Sequence, residues 1–305
     1  MWLWLFRRDY RFPHALVLLP AGILTLFLVN AVRITALILI GSAGAPQIAL
    51  GGFHSQAGWI AFSAVALGFS VVASRTPWLT NLEQSDSAIQ AGIWDNPTAT
   101  YLLPFLSVLA VGMISTAASG KFEWLYPIRF LTAGVVLLIL RKNYSAVDWR
   151  FGWFGPSIGV LVFAVWIAID RFSGPTGDDR MPAALAASSV SIRAIWIVVR
   201  SLSAVVTVPI AEELAFRGFL LRRLISSDFE ALPPHTFTSL GLVVSSIAFG
   251  VLHGNLWLAG FLAGLSYAWA LIRRGRLGEA VAAHATTNAL IVGYILIFQK
   301  WHLWS

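Results

Sequence analysis

The stretch PIAEELAFRGFLLRRL, from Pro209 to Leu224, places two adjacent glutamates and an arginine within an apolar run. A carboxylate in the hydrocarbon core of a membrane is disfavoured by roughly 2.5–3.5 kcal/mol even on the mildest insertion scales. Whether this run crosses a membrane therefore decides the fold class, and with it the interpretation of Glu212, Glu213 and Arg217.

The composition of the chain answers that question. Of its residues, 58% are hydrophobic and 11% are charged, whereas a soluble domain carries about 25% charged residues. The formal charge of +7 comes from short basic clusters between apolar runs, a pattern typical of membrane loops rather than of a nucleic-acid-binding surface. The sequence contains no cysteine, which excludes disulfides, thiolate metal sites and a thiol nucleophile within it.

Apolar runs long enough to cross about 30 Å of hydrocarbon predict an all-α polytopic membrane protein with about nine transmembrane helices. The runs lie at 14–40, 57–74, 99–118, 126–140, 153–170, 194–222, 239–254, 256–272 and 280–298. The runs 239–254 and 256–272 are nearly continuous, and a single helix over 239–272 would be too long for one span. A hairpin is therefore expected at His253-Gly254-Asn255.

The loops predict orientation and domain organisation. Basic residues concentrate in alternate loops, which places the N-terminus in the cytoplasm. The polar loop after Arg75 indicates a module boundary. We therefore expect a first domain over 1–75, a polar linker over 76–98 and a second domain over 99–305.

Three polar segments carry the residues suited to chemistry. Glu213 precedes Arg217 by four residues, the favoured spacing for an ion pair along a helix, which leaves Glu212 about 100° away to act as the chemical carboxylate. His253 follows Phe249 by four residues, and His284 and Asn288, also four residues apart, share one helix face.

A carboxylate and two imidazoles in a dry site could activate water by general-base catalysis, or could hold a metal ion through Glu212, His253 and His284. Asn288 and one histidine could then donate hydrogen bonds to the oxyanion formed when water attacks an amide. Two other classes of function stay open: a non-catalytic membrane scaffold, and a transporter whose buried Glu and His residues relay protons.

The patterns E-E-x-x-x-R, F-x-x-x-H and H-x-x-x-N, in this order, resemble the three motifs of the CPBP intramembrane proteases, which include the CAAX prenyl endopeptidases and bacteriocin-processing or self-immunity relatives. The resemblance covers roughly residues 100–298. It implies a CPBP-type helical bundle that cleaves a membrane-embedded or lipid-anchored peptide in a bacterial inner membrane. It further implies that Glu212 and His253 activate water while His284 and Asn288 bind the oxyanion.

The same resemblance leaves the metal and the activity open. Members of the family are described both as metalloproteases, with zinc as the natural candidate, and as metal-free enzymes, and this sequence has no His-Glu-x-x-His signature. Because the family includes immunity-type relatives, a non-catalytic membrane scaffold stays an alternative function. The simple topology also places His253 near the outer end of its helix, far from His284, unless the break after His253 lies at mid-depth.

The first domain has a resemblance of its own. Its N-x-x-R-I segment, Asn30 to Ile34, and its Phe53-His54 pair resemble the last two motifs of exosortases, membrane transpeptidases with a cysteine nucleophile. Arg33 and His54 match, but the cysteine is absent, so we expect no transpeptidase activity from this sequence. The two resemblances together are similar to exosortase E/protease fusions, with the front of the first domain lost through a misassigned start codon or a true truncation.

Overall fold

The computed structural model describes residues 10–46, 49, 52–79, 96–119, 122–174 and 179–304, and of residues 52–56, 70, 74 and 75 only the backbone. These described residues form helices and no β-strand. The chain is an all-helical polytopic membrane protein, as its composition predicts. Most of the predicted linker, residues 80–95, lies outside the described residues.

Helices occur at each predicted position within the described residues. Numbered along the chain, they are α1 Leu18–Ser42, α2 Gly52–Arg75, α3 Pro97–Ala118, α4 Tyr126–Leu140, α5 Phe154–Ser173, α6 Ala183–Ala186, α7 Val190–Leu202, α8 Val208–Glu213, α9 Leu221–Arg223, α10 Ser239–Val251, α11 Trp257–Arg274 and α12 Leu277–Phe298. Six described stretches are long and apolar enough to cross a membrane, while α4, α10 and the apolar part of α2 are shorter.

The described helices fall into two compact units. The first comprises Met1–Trp94 with Ala110–Leu125, and the second comprises Asp95–Leu109 with Tyr126–Ser305. In the first unit, α1 packs against α2, and a small apolar cluster forms around Ala15, Ala73 and Leu79. No residue of α1 is buried, as suits a helix whose large aliphatic side chains face lipid.

The second unit is a bundle in which α5, α11 and α12 pack against one another and α10 packs on α11. Contact between α5 and α12 requires glycine: a Cβ on Gly159 would lie 2.7 Å from the Cβ of Thr286. Small residues at such crossings let helix backbones approach closely, which is the main source of helix association in lipid. The two helices therefore form a rigid pair on which the residues of α12 are positioned.

The hairpin predicted at His253-Gly254-Asn255 is confirmed. Helix α10 ends at Val251, a 3₁₀ turn spans Gly254–Leu256 and α11 starts at Trp257. The two helices are in close contact, because a Cβ on Gly250 would lie 2.7 Å from the carbonyl oxygen of Trp257. At 13 residues, α10 is about 20 Å long, so the turn after it lies short of a full membrane crossing.

Candidate active site

The E-E-x-x-x-R motif lies where regular α-helix changes to π-helix. The chain from Val190 to Arg223 is one helical stretch, interrupted by π-helical turns at Ser203–Thr207 and Leu214–Leu220. Glu213 is the last residue of α8, and Arg217 lies in the second π-helical turn. Such turns widen the helix and release backbone groups from their usual bonds, which is why they recur at functional sites.

Glu213 is completely buried, and one of its carboxylate oxygens contacts two other side chains. Its Oε1 accepts a hydrogen bond from Arg217 Nη1 at 3.1 Å and faces His284 Nδ1 at 2.9 Å. Arg217 also donates through Nη2 to the carbonyl oxygen of Gly264 at 2.9 Å and lies 4.4 Å from the ring centroid of Phe249. The expected Glu213–Arg217 ion pair is therefore present, and it connects α8 with α11 and α12.

His284 lies between the two glutamates. While Nδ1 faces Glu213, Nε2 faces Glu212, with 3.9 Å between Nε2 and Oε2. The imidazole is stacked on the ring of Tyr267, with centroids 4.8 Å apart and planes 17° apart, and the edge of Phe249 packs against it. The ring therefore has one orientation, with both nitrogens directed at carboxylates.

The two glutamates each keep one oxygen without a hydrogen-bond donor among the described residues. Glu212 Oε2 and Glu213 Oε2 are buried and accept no hydrogen bond there. A buried carboxylate oxygen without a donor is costly, and in native structures such groups need a specific explanation. A reacting water or a substrate N–H beside Glu212 would supply the missing donor.

His253 reaches the site indirectly. Its Nδ1 lies 3.0 Å from the carbonyl oxygen of Phe249, and its ring contacts the rings of Phe249 at 4.9 Å and Trp166 at 5.2 Å. Within the described part of the chain it makes no hydrogen bond or ion pair with Glu212 or His284. Phe249 touches both histidines, so the turn that carries His253 lies at the same level of the bundle as His284.

Asn288 lies one turn after His284 on α12, and its side chain is engaged. Its Nδ2 donates to the carbonyl oxygen of Ala204 at 2.7 Å, in the first π-helical turn. The amide nitrogen carries two hydrogens, so one N–H remains for another acceptor. The structure thus brings Glu212, Glu213, Arg217 and His284 into direct contact, with Asn288 and His253 at the margins.

Several contacts near this site carry no signal in the sequence. Tyr267 and Trp166, which pack on the two histidines, are ordinary aromatic residues in apolar runs. Farther along α5, the ring of His302 bridges two carboxylates: Nε2 lies 3.0 Å from Asp170 Oδ1, and Nδ1 faces Asp179 Oδ1. These partners are more than a hundred positions apart in the sequence, so no local pattern relates them.

In the first unit, Arg33 lies in α1 and donates through Nη1 to Asn30 Oδ1 at 3.0 Å. A Cβ on Gly58 would lie 3.6 Å from its guanidinium carbon, so Arg33 lies against α2. His54 is within α2, four residues before Gly58 and hence on the same helix face. The side chain of His54 lies outside the described part of the structure.

The residues named as metal candidates do not fit a metal ion. Among the described residues, no three or more His, Asp or Glu side chains are grouped so that they could hold one. Glu212 and His284 face each other, but His253 makes its contacts with Phe249 and Trp166 instead.

Comparison with known families agrees with the two resemblances. A family model described as type II CAAX prenyl endopeptidase Rce1-like matches residues 194–290, which include all three motifs of the site. A second model, the transmembrane exosortase (EpsH), matches residues 1–71, which include Arg33 and His54. Searches of curated proteins and of solved structures returned no match.

Proposed function

We propose that this integral membrane protein is a CAAX-type intramembrane endopeptidase that hydrolyses a peptide bond of a membrane-embedded or lipid-anchored substrate. One observation carries the proposal: His284 is held by Glu213, and its other nitrogen faces Glu212, whose buried Oε2 accepts no hydrogen bond among the described residues. Nucleophile activation needs this combination of a base able to accept a proton and an oriented imidazole.

Glu212 acts as the general base in this proposal. A water held at Oε2 gives up its proton to that oxygen as the water oxygen attacks the carbonyl carbon of the scissile bond. The tetrahedral oxyanion then collapses, and Glu212 returns the proton to the leaving amine. General acid–base catalysis of this kind contributes about 10²–10⁴-fold in rate.

His284 and Asn288 stabilise the oxyanion in this mechanism. Nδ1 of His284 lies 2.9 Å from Glu213 Oε1, so an imidazolium at His284 would present Nε2–H to the space beside Glu212. The negative charge of Glu213, shared with Arg217, stabilises that imidazolium in the way a buried aspartate does in a catalytic triad. The second N–H of Asn288 is the other candidate donor.

His253 has a supporting position in this mechanism rather than a direct one. Its ring contacts that of Phe249, which also contacts the ring of His284. A direct role for His253 in activating water would require a water that reaches both His253 and Glu212. The proposal therefore places the base function on Glu212 and keeps His253 as a second group near the same water.

The decisive experiment is cleavage of membrane-anchored peptides by the purified protein in water enriched in ¹⁸O. Hydrolysis places ¹⁸O in the new carboxyl terminus, which mass spectrometry detects. Glu212→Gln should abolish cleavage without loss of folded protein, while Asp228→Asn, an exposed acid in the loop after α9, should cleave normally. Parallel reactions with a chelator report on any metal.

The opposite outcomes are equally specific. Cleavage that persists in Glu212→Gln contradicts the role of that carboxylate. Folded protein that cleaves no peptide, with Glu212→Gln behaving identically, favours the scaffold or immunity-type alternative. Product that carries a transferred amine instead of ¹⁸O would indicate transpeptidation, for which the sequence holds no cysteine.

The setting of this enzyme is part of the proposal. The loop charges favour a cytoplasmic N-terminus, and the family resemblance favours a bacterial inner membrane. We assign the proteolytic domain to 99–305, an exosortase-like fragment to 1–75 and the linker to 76–98. Fusion of a tag to each terminus, followed by protease accessibility in sealed vesicles, tests the orientation.

A further inference from the structure

A cavity near one end of the bundle lies beside the proposed active site. It has a volume of about 390 Å³, within the range of small-molecule sites. We call it the Arg222 cavity; its walls include Tyr101, Asp148, Arg222, Glu230, Leu271 and Leu277. Arg217, the partner of Glu213, also lines it, whereas Glu212, His253, His284 and Asn288 are not among the described residues that do.

Arg222 brings a fixed positive charge to this cavity. Its guanidinium is buried, and it donates from Nε and Nη2 to the carbonyl oxygen of Gly218 and from Nη1 to that of Leu232. The rings of Tyr101 and Phe229 lie 5.6 and 5.5 Å from its central carbon. All these partners are uncharged, so among the described residues no carboxylate is hydrogen-bonded to the buried cation.

The bonding capacity of Arg222 is not exhausted. A guanidinium has five N–H donors, and three are used by the two carbonyl oxygens. Its side chain is held in place by the protein, so it would bind an anion with little further loss of conformational freedom. A phosphate group matches the planar fork of donors in both charge and shape.

The two carboxylates of the cavity differ in whether a nearby cation offsets their charge. Hydrogen bonds from Arg150 to Asp148, at 3.0 and 2.7 Å, lower the pKa of Asp148 to about 2 and offset its charge. Glu230 is exposed and has no ion pair among the described contacts. A ligand that joins an anionic group to a cationic group can therefore satisfy Arg222 and Glu230 together.

Helix ends surround much of the cavity. Tyr101 is in the second turn of α3, Leu271 is in the last turn of α11 and Leu277 begins α12, so helix ends form its walls. The loop that follows Asp148 exposes Phe151 and Trp153, with Trp153 87% exposed. Exposed aromatic residues at helix ends are typical of the membrane–water interface.

We infer that the Arg222 cavity binds the headgroup of a zwitterionic phospholipid, with its phosphate on Arg222 and its ammonium group on Glu230. The apolar walls at Leu271 and Leu277 contact the glycerol end and the first methylene groups of the lipid. Such a lipid would join α3, α11, α12 and the loop that contains Glu230, and its binding does not depend on proteolysis.

The test measures lipid binding to the purified full chain by native mass spectrometry. The probes are phosphatidylethanolamine, phosphatidylglycerol with the same acyl chains and no ammonium group, and trialanine as a zwitterionic peptide. We expect phosphatidylethanolamine to bind most tightly. Glu230→Gln should weaken that binding about tenfold, as expected for loss of one charge-assisted contact, and leave phosphatidylglycerol unchanged.

Asp228→Asn is the matched control, since Asp228 is an exposed acid of the same loop that does not line the cavity. Arg222→Lys should weaken both lipids, and where it fails to fold the Glu230→Gln comparison decides alone. Equal binding of both lipids by the unaltered protein, or an unchanged affinity for phosphatidylethanolamine in Glu230→Gln, overturns the inference. Displacement of that lipid by trialanine also overturns it, in favour of a peptide site.

Discussion

Glu213 is the residue on which the site depends most, because one buried oxygen serves both Arg217 and His284. Arg217 is itself buried, and its remaining partners are a carbonyl oxygen and aromatic rings. Removing the carboxylate would leave a buried guanidinium without its counter-charge. Breaking such a pair costs far more than the pair contributes relative to an apolar replacement.

We predict that Glu213→Gln destabilises the protein by about 3–5 kcal/mol, because it leaves the Arg217 charge uncompensated. The measurement is thermal unfolding in detergent, followed by tryptophan fluorescence. The double variant Glu213→Gln/Arg217→Leu should regain part of the loss, since neither charge is then buried. A single variant as stable as the unaltered protein would contradict the importance of the ion pair.

Tyr267 determines the plane of the His284 imidazole through stacking. We predict that Tyr267→Phe, which retains the ring, keeps most of the peptidase rate, whereas Tyr267→Leu loses about tenfold or more by letting the imidazole rotate, as misplacement of catalytic groups does. The measurement is kcat and KM on one cleaved peptide. A loss confined to KM, or equal losses in both variants, would argue against a role in positioning the imidazole.

Among the helices, α5 and α12 form the pair that positions His284 and Asn288. Their contact depends on Gly159, which lies against the backbone of Ala283 and the side chain of Thr286. It also depends on Glu279, whose carboxylate accepts hydrogen bonds from Gly152 N at 2.9 Å and Gly155 N at 2.7 Å, at the start of α5. An acid at a helix N-terminus satisfies free N–H groups and complements the helix dipole.

We predict that Gly159→Ala lowers both the unfolding temperature and the peptidase rate, because the added methyl group forces α5 away from α12. Gly134→Ala in α4 is the control, since a Cβ there meets nothing within 4 Å, and it should be neutral or stabilising by up to about 1 kcal/mol. Equal effects of the two changes would contradict the close packing described for α5 and α12.

The first turn of α5 gives a separate prediction. Glu279→Ala should destabilise the protein by about 1–3 kcal/mol, because it leaves the buried N–H of Gly155 and the more exposed N–H of Gly152 without their acceptor. Glu279→Gln should cost less, since its amide oxygen can still accept one of the two bonds. Thermal unfolding in detergent distinguishes them, and the expected order would be wrong if the glutamine variant were the less stable.

Over the length of the second unit, the segment after α12 is joined to the loop after α5. Lys300 Nζ lies 2.5 Å from Asp179 Oδ2, and His302 contacts both Asp179 and Asp170. Hydrogen bonds from Lys300, and then from His302, lower the pKa of Asp179 below its usual range. A carboxyl with a depressed pKa stabilises the fold above its unfolded pKa and loses that contribution as the pH falls through the folded value.

We therefore predict that Asp179→Asn lowers the unfolding temperature by an amount that is constant above about pH 5 and shrinks below about pH 4, near the unfolded pKa of aspartate. The measurement is the unfolding temperature of both proteins from about pH 3 to about pH 8 in one detergent, a range that includes the usual pKa of aspartate. A difference that grew on acidification would contradict the assignment.

The sequence by itself determined the all-α membrane class, the positions of the helices, the hairpin after α10 and the Glu213–Arg217 pair. Each follows from a periodicity or spacing within one segment, and an apolar run or an i,i+4 pair needs no distant partner. Both resemblances were also readable there, because the motif residues are local and occur in order. The roles proposed for Glu212, His253, His284 and Asn288 stay predictions.

Which residues meet depends on how the helices pack. The tertiary structure joined Glu213 to His284, engaged Asn288 with Ala204, brought Phe249 into contact with both histidines and set Glu279 at the start of α5. It also placed the turn with His253 level with His284, the arrangement that a simple count of spans leaves unresolved. These contacts join residues tens to more than a hundred positions apart, and their geometry depends on helix packing and on π-helical turns, neither of which the local pattern of apolar residues encodes.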